Sequence, residues 1–218
     1  MLTRVFFWAY ICLSSFFLVS NAMATEEPKY TVLEQSEPFE LRAYAPMIVA
    51  EIKVKGDLDS ASGDGFRQIA AYIFGQNKVS EKIAMTTPVT MEPRENSQST
   101  KIAMTTPVMI EPDQDPKKGN AQEWTVAFVM PAEYTMETLP RPLNSQIEIK
   151  EIPGEKKAVI TFSGFYDNKK VNEMTQTLEF WIKSKGLEVL GKPQFARYNP
   201  PWTLPFMRRN EIMIQVKN

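Results

Sequence analysis

The chain has 218 residues, and its 25 Lys and Arg residues nearly balance its 26 Asp and Glu residues. Nucleic-acid-binding proteins usually carry a basic excess or a basic stripe, so this balance argues against DNA or RNA as a partner. The chain contains no His and a single Cys. This composition excludes zinc sites built from His and Cys, and it excludes catalytic triads that use His.

The N-terminal segment 1–24 has the pattern of a secretory signal peptide. Arg4 gives it a positive start, residues 5–19 are almost wholly apolar, and Ala22 and Ala24 place small residues where signal peptidase cuts. The apolar run of 15 residues is shorter than the ~20 that span a bilayer. We therefore interpret it as a cleaved signal rather than a membrane anchor. We expect cleavage after Ala24 and a periplasmic or secreted protein without stable membrane insertion.

The mature chain, residues 25–218, is expected to form one domain, because 194 residues suffice for one well-buried core. Without Arg4 it carries 24 basic residues against 26 acidic ones, a net charge of −2. The single Cys, Cys12, lies in the predicted signal, so the exported protein would have no disulfide. Its stability would depend on packing alone.

Three short strands and a helix come first along the chain. The strands are predicted at 30–35, 39–44 and 47–54, where apolar and polar residues alternate. The period then changes to that of a helix at about 58–74, whose apolar face includes Phe66, Ile69, Ala70 and Ile73. Its candidate N-caps are Ser60, Ser62 and Asp64, and Gly75 is the expected end.

An eight-residue string, Lys-Ile-Ala-Met-Thr-Thr-Pro-Val, occurs at 82–89 and again at 101–108. Two copies are too few for a solenoid, which needs at least about three stacked units. Both copies alternate with period two, so we predict two strands that fold back as a hairpin across the polar stretch 94–100. Met85 and Met104 would then face the same side and pack in the core. The alternative is that they offer soft thioether ligands to iron or copper.

The rest of the chain repeats the order strand, helix, strand, strand. Strands are predicted at 124–130, 146–152, 157–163, 194–198 and 211–216, and a second helix at 168–186. Because the same order describes both 47–130 and 157–216, we predict an α+β fold of two βαββ halves. Its strands would be antiparallel, with the helices on one side or at the ends of the sheet. A proline-rich apolar loop, 199–207, lies between the last two strands.

Five segments together form a distinctive series. They are 82–91 after the Gly-Gln-Asn end of the first helix, 124–131, 158–164, 196–201 and 208–212. In this order they resemble the SOUL haem-binding protein family over nearly the whole mature chain. The resemblance implies a distorted antiparallel barrel or sheet of about eight strands with two helices, in duplicated βαββ halves. The fold is similar to the effector-binding domains attached to some bacterial regulators.

The resemblance also implies haem or another tetrapyrrole as the ligand, and composition limits how it is held. Without His or a mature Cys, an iron atom has no imidazole or thiolate ligand, which leaves Tyr, Met, Lys or no protein ligand. We therefore expect a non-catalytic protein that binds haem reversibly, as a carrier or buffer. A binding module for another apolar small molecule, or a protein-interaction domain without a small ligand, is the alternative. The sequence contains neither a phosphate-binding loop nor a nucleophile elbow, so neither of these motifs indicates an enzyme.

Two apolar segments are candidates for the binding surface. The candidate residues are Phe66, Ile69 and Tyr72 on the first helix, and Trp202, Leu204, Phe206, Met207 and Arg208 in or beside the late loop. Their apolar groups would cover a macrocycle, while Arg67 or Arg208 would meet its carboxylates. Two alternatives stay open: the helix residues form an ordinary core face, and the loop closes one end of the barrel.

Overall fold

A computed structural model describes residues 26–79, 99–113 and 123–217 of the chain. The predicted signal peptide and the first octapeptide copy, with Met85, lie outside these residues. Within the three described ranges no helix is long and apolar enough to cross a membrane.

The helices and strands follow the predicted order closely. The first half comprises β1 (Tyr30–Ser36), β2 (Phe39–Tyr44), β3 (Met47–Lys55), α1 (Leu58–Ile73), β4 (Asn77–Lys78), β5 (Val108–Pro112) and β6 (Glu123–Val129). The second half comprises β7 (Arg141–Pro142), β8 (Glu148–Ile152), β9 (Glu155–Phe162), α2 (Asn168–Ser184), β10 (Glu188–Val189), β11 (Gln194–Arg197), a 3-10 turn (Pro205–Met207) and β12 (Asn210–Lys217). Outside the octapeptide, the helices and strands that were predicted differ from these by a few residues at most, whereas the two-residue strands β4, β7 and β10 were not predicted.

One sheet of ten strands runs through the described molecule. Its order is β1-β2-β9-β12-β11-β5-β6-β3-β8, with β10 beside β12. The order is symmetrical about the β5 and β11 pair, because β5-β6-β3 on one side corresponds to β11-β12-β9 on the other. Helix α1 packs on β3 and β6, and α2 packs on β9 and β12. This arrangement confirms the α+β fold and its two βαββ halves.

The sheet bends until its two ends come close together. Strand β2 pairs with β9 and β3 pairs with β8, so the connections 44–47 and 152–155 lie side by side. A Cβ atom on Gly154 would lie 3.1 Å from the carbonyl oxygen of Tyr44, so this close approach favours glycine. No ladder joins the two ends among the described strands. The sheet is therefore a distorted, open barrel.

Apolar side chains cover both faces of this sheet. On the convex face, α1 buries Ile69 and Ile73, and α2 buries Leu178 and Ile182. The buried residues of the concave face are Tyr44, Val49, Met109, Ala127, Val129, Val159, Ala196 and Met213. Because no helix covers the concave face in the described chain, its burial depends on the curvature of the sheet.

The N-cap of α1 is Asp57, which precedes all three predicted candidates. Its carboxylate accepts hydrogen bonds from the backbone N–H groups of Asp59 at 3.0 Å and Ser60 at 2.9 Å. A capping carboxylate satisfies amides that have no partner in the first turn. The helix begins at Leu58, before Ser60, Ser62 and Asp64. The prediction that one of these three residues is the N-cap was therefore wrong.

The second octapeptide copy is not a strand along its whole length. Residues 101–107 are irregular, and β5 begins at Val108, directly after Pro107. Proline has no N–H to donate to a ladder, so pairing starts beyond it. Ile102 is nevertheless fully buried, and Met104 is half-buried. The predicted strand was wrong for 101–107, although Ile102 does belong to the core.

Candidate functional site

The loop between β11 and β12 presents a series of large apolar side chains to solvent. Trp202 is 82% exposed, Phe206 is 73% exposed and Met207 is 62% exposed, and Leu204 is also exposed. Scattered apolar residues are normal on a protein surface, but several large ones in a single exposed loop make that loop the candidate interaction site. We call residues 199–208 the apolar loop.

Backbone hydrogen bonds and prolines stabilise the conformation of the apolar loop. The N–H of Thr203 donates to the carbonyl of Pro200 at 3.0 Å, and the N–H of Met207 donates to the carbonyl of Leu204 at 2.9 Å. Arg208 donates from Nε to the Thr203 carbonyl at 2.8 Å, and from its other nitrogen to a second loop carbonyl. The guanidinium of Arg208 thus stabilises the loop, and the predicted role in holding a ligand carboxylate competes with these bonds.

Phe165, which was not among the predicted site residues, lies beside the apolar loop. The N–H of Gly164 donates to the carbonyl of Pro205 at 2.8 Å, and this bond joins the connection after β9 to the loop. The Arg208 guanidinium lies 5.2 Å from the centroid of the exposed Phe165 ring. The sequence did indicate this residue, because Phe165 is a bulky aromatic residue in a turn and fits neither a strand period nor a helix period.

Helix α1 reaches the same neighbourhood through Arg197 at the end of β11. Arg197 donates to the Ser62 hydroxyl at 2.8 Å and lies 4.6 Å from the centroid of the Tyr166 ring. Phe66, one helical turn after Ser62, is 39% exposed, and its ring centroid lies 5.5 Å from that of Phe128. Phe66 is therefore partly available at the surface.

Two of the helix residues predicted to bind a ligand lie in the core instead. Ile69 is fully buried, and Tyr72 is almost fully buried and donates its hydroxyl to the carbonyl of Pro140 at 2.7 Å. Both side chains therefore belong to the core between α1 and the sheet, away from the apolar loop. Arg67 is on the exposed side, where it pairs with Asp64.

The space beneath the apolar loop is very small. The cavity between the loop, Tyr166 and Arg197 measures about 10 Å³, which is at most the space of one water molecule. A large planar ligand would therefore lie on the outer surface of the loop, against Trp202, Phe206 and Met207. Among the described residues no group of three or more acidic residues is placed to hold a metal ion.

A buried polar cluster lies on the concave face of the barrel. Glu211 on β12 accepts two hydrogen bonds from Arg42 at 3.0 Å, one from Arg209 at 3.0 Å and one from the Tyr198 hydroxyl at 2.6 Å. Burial alone raises the pKa of Glu211, but hydrogen bonds and charge from Arg42, then Tyr198 and Arg209, outweigh it and hold the pKa below its ordinary value. We call these four residues the Glu211 cluster. Its carboxylate is ionised and saturated with donors.

Known proteins match this chain along nearly its whole length. The family model described as SOUL heme-binding protein matches residues 25–95 and 92–215. Heme-binding protein 2 of Homo sapiens is 30% identical over 205 residues, which cover 90% of this chain and 89% of that protein. Heme-binding protein 2 of Mus musculus is 28% identical over 206 residues, covering 91% and 90%.

Solved structures with the same architecture are more distant in sequence. The C-terminal domain of EcmrR is similar with a TM-score of 0.60 at 12% identity, covering 87% of this chain and 98% of that one. A hydrolase from Listeria innocua is similar with a TM-score of 0.51 at 13% identity, covering 85% and 94%. At these identities the likeness shows a shared fold and nothing about chemistry.

Proposed function

Because the chain belongs to the SOUL haem-binding protein family, we propose that it binds haem or a related tetrapyrrole on the apolar loop, reversibly and without a covalent bond. The observation that carries this proposal is the exposure of Trp202, Phe206 and Met207 in one proline-braced loop, with Phe165 beside it. Covering apolar surface is favourable by about 25 cal/mol per Å². A flat macrocycle has two large apolar faces, and one of them would cover this surface.

The carboxylates of the ligand need a cation or water. Arg67 follows Phe66 on α1, and its side chain is 73% exposed. Its pair with Asp64 is exposed to solvent and can exchange for a ligand carboxylate, whereas the nitrogens of Arg208 already donate to the carbonyls of Thr203 and Pro201. The surface exposure of Arg67 favours a weak, exchangeable contact, since exposed ion pairs contribute little to affinity.

Iron would be held without His or Cys. Within the apolar loop, the thioether of Met207 is the one soft ligand, because the other residues of 199–208 carry no sulfur. If Met207 does not coordinate, the macrocycle is held by its faces alone, and iron adds nothing to affinity. Either arrangement suits a carrier or buffer that releases its ligand.

We propose a binding role rather than a catalytic one. The carboxylate of Glu211 is fully buried, has a lowered pKa and accepts four hydrogen bonds from Arg42, Arg209 and Tyr198. A general base needs a pKa near the operating pH and a free lone pair. Glu211 has neither, so it serves the fold.

Titration of haemin into the protein tests the proposal. We expect a saturable shift of the Soret band, and a loss of affinity of about tenfold in Trp202→Ala or Phe206→Ala, since a stacking aromatic contributes roughly 1–3 kcal/mol. Phe180→Ala is the matched control, because Phe180 is 77% exposed but lies on α2, in a groove with Phe39 and Trp181. No saturable shift, or equal losses in all three variants, would remove haem binding at the loop.

Iron-free protoporphyrin separates coordination from contact. If Met207 coordinates iron, haemin binds more tightly than protoporphyrin, and Met207→Leu abolishes the difference while leaving protoporphyrin binding unchanged. If contact alone holds the ligand, both macrocycles bind alike to the wild type and to the variant. Met207→Leu is suitable because it keeps an apolar side chain of similar volume.

A further inference from the structure

A second cavity, of about 450 Å³, opens between the start of the described chain and the connection after β6. Pockets for small molecules usually measure about 300–1,000 Å³. The cavity shares no lining residue with the apolar loop or with α1. Its apolar lining is formed by Pro46, Met47, Ile48, Val129, Met130 and Met136. Unbranched methionine side chains adapt to ligands of different shape, so this lining suits a variable apolar group.

The mouth of this cavity is acidic. Its charged lining residues are Glu26, Glu27, Glu137, Glu151 and Lys29. Glu27 is paired with Arg209 at 3.0 Å, and Glu26 and Glu151 alone still outnumber the single Lys of the lining. The position of Glu26 is fixed, because its carboxylate accepts the N–H of Ala132 at 3.0 Å. An excess of negative charge therefore surrounds an apolar interior.

We propose that this cavity binds an amphipathic organic cation, such as a quaternary ammonium compound with an aromatic or aliphatic group. The apolar group would lie against Met47, Met130 and Met136, and the cationic head would remain near the carboxylates at the mouth. The ring of Tyr134, which also lines the cavity, can stabilise a cation over its face. A ligand anion would meet net repulsion at the same place, so the charge of the mouth determines the class of ligand.

Two probes of the same shape test the role of charge. Phenyltrimethylammonium and tert-butylbenzene differ only in the replacement of a charged nitrogen by carbon. Protein labelled with ¹³C at its Met methyl groups reports the site directly by NMR. We expect saturable shifts for Met47, Met130 and Met136 with the ammonium probe, unchanged signals for Met174 on α2 and Met207 in the apolar loop, and roughly fivefold weaker binding of tert-butylbenzene.

Carboxylate variants complete the test. Glu151→Gln should weaken binding of the ammonium probe about threefold. Glu188→Gln makes the same charge change on β10, where Glu188 pairs with Lys217, and should leave binding unchanged. Equal affinity for the two probes, equal effects of the two variants, or shifts confined to Met207 would overturn the proposal. Because Met207 lies in the apolar loop and does not line the cavity, its signal distinguishes the two sites. Failure of this test would therefore leave the outcome of the haemin titration unaffected.

Discussion

Arg42 and Glu211 form a two-bonded ion pair across the strand that separates them in the sheet. Both N to O distances are 3.0 Å, and the Arg42 side chain is 3% exposed while that of Glu211 is fully buried. Arg42 lies on β2 and Glu211 on β12, with β9 between them. The pair therefore ties the first hairpin to the last strand, over a separation of 169 residues.

Removing the Glu211 charge should destabilise the protein strongly. In Glu211→Gln the guanidinium groups of Arg42 and Arg209 lose the carboxylate they share and keep only their pairs with the more exposed Glu40 and Glu27. Breaking a buried ion pair from one side costs about 3–5 kcal/mol, so we expect the free energy of unfolding to fall by about that amount in urea titrations. Glu188→Gln, at an exposed pair with Lys217, should change it by less than about 1 kcal/mol. Similar losses of unfolding free energy in the two variants would show that the buried Glu211 pair contributes no more to stability than an exposed pair does.

Acid should destabilise the wild type through the same carboxylate. Glu211 has a pKa below its ordinary value of 4.5 in the folded protein, so it binds protons more weakly when folded than when unfolded. Its contribution to stability is complete above pH 4.5 and is lost as the pH falls toward the folded pKa. The free energy of unfolding, measured between pH 6 and pH 3 by urea titration, should therefore fall more steeply for the wild type than for Glu211→Gln. Parallel pH profiles would contradict this linkage.

Alkali should destabilise the protein through its buried phenols. Burial raises the pKa of Tyr44 to about 12, from an ordinary value of 10.0, and it raises the pKa of Tyr72 as well. The neutral phenol is favoured in the folded state, so this stability is complete below pH 10 and is lost as the pH rises above it. Tyr72→Phe loses the hydrogen bond to Pro140, which costs about 1 kcal/mol at neutral pH. Its deficit against the wild type should shrink above pH 10, and a constant deficit would contradict the argument.

Local patterns predict the elements of this protein well and its long-range polar contacts poorly. Period and turn residues place both helices and most strands within a few residues, because each follows from neighbouring positions. The octapeptide misleads, since its alternation suggests a strand where Pro107 prevents ladder pairing. Trp202 and Phe206 could be selected as candidate binding residues because they lie in a proline-rich loop and fit neither the strand period nor the helix period. Nothing in the sequence around Glu211 identifies Arg42 as its partner, because sheet order and register decide which distant side chains meet.

The cleaved signal peptide at residues 1–24 is predicted from the sequence alone, and export of the protein can test this prediction. We expect the mature protein to begin at Thr25, because Ala22 and Ala24 provide the small residues that signal peptidase reads. N-terminal sequencing of the protein from a periplasmic or secreted fraction checks this. Ala24→Phe should leave the precursor uncut and attached to the membrane fraction, whereas Ser20→Ala, which keeps a small residue upstream, should not. An intact Met1 in the wild-type protein would contradict the prediction of a cleaved signal.

Two glycines on α1 should respond to alanine in opposite directions. A Cβ atom on Gly65 would lie 2.5 Å from Cγ2 of Val126 on β6, whereas a Cβ on Gly63 would have no neighbour closer than 3.8 Å. Gly65→Ala must push α1 away from the sheet, so we expect a loss of about 1–3 kcal/mol in the free energy of unfolding. Gly63→Ala should gain about 0.5–1 kcal/mol, because alanine loses less backbone entropy in a helix. Displacement of α1 would also strain the 2.8 Å bond between Ser62 and Arg197, so Gly65→Ala should weaken haemin binding while Gly63→Ala does not.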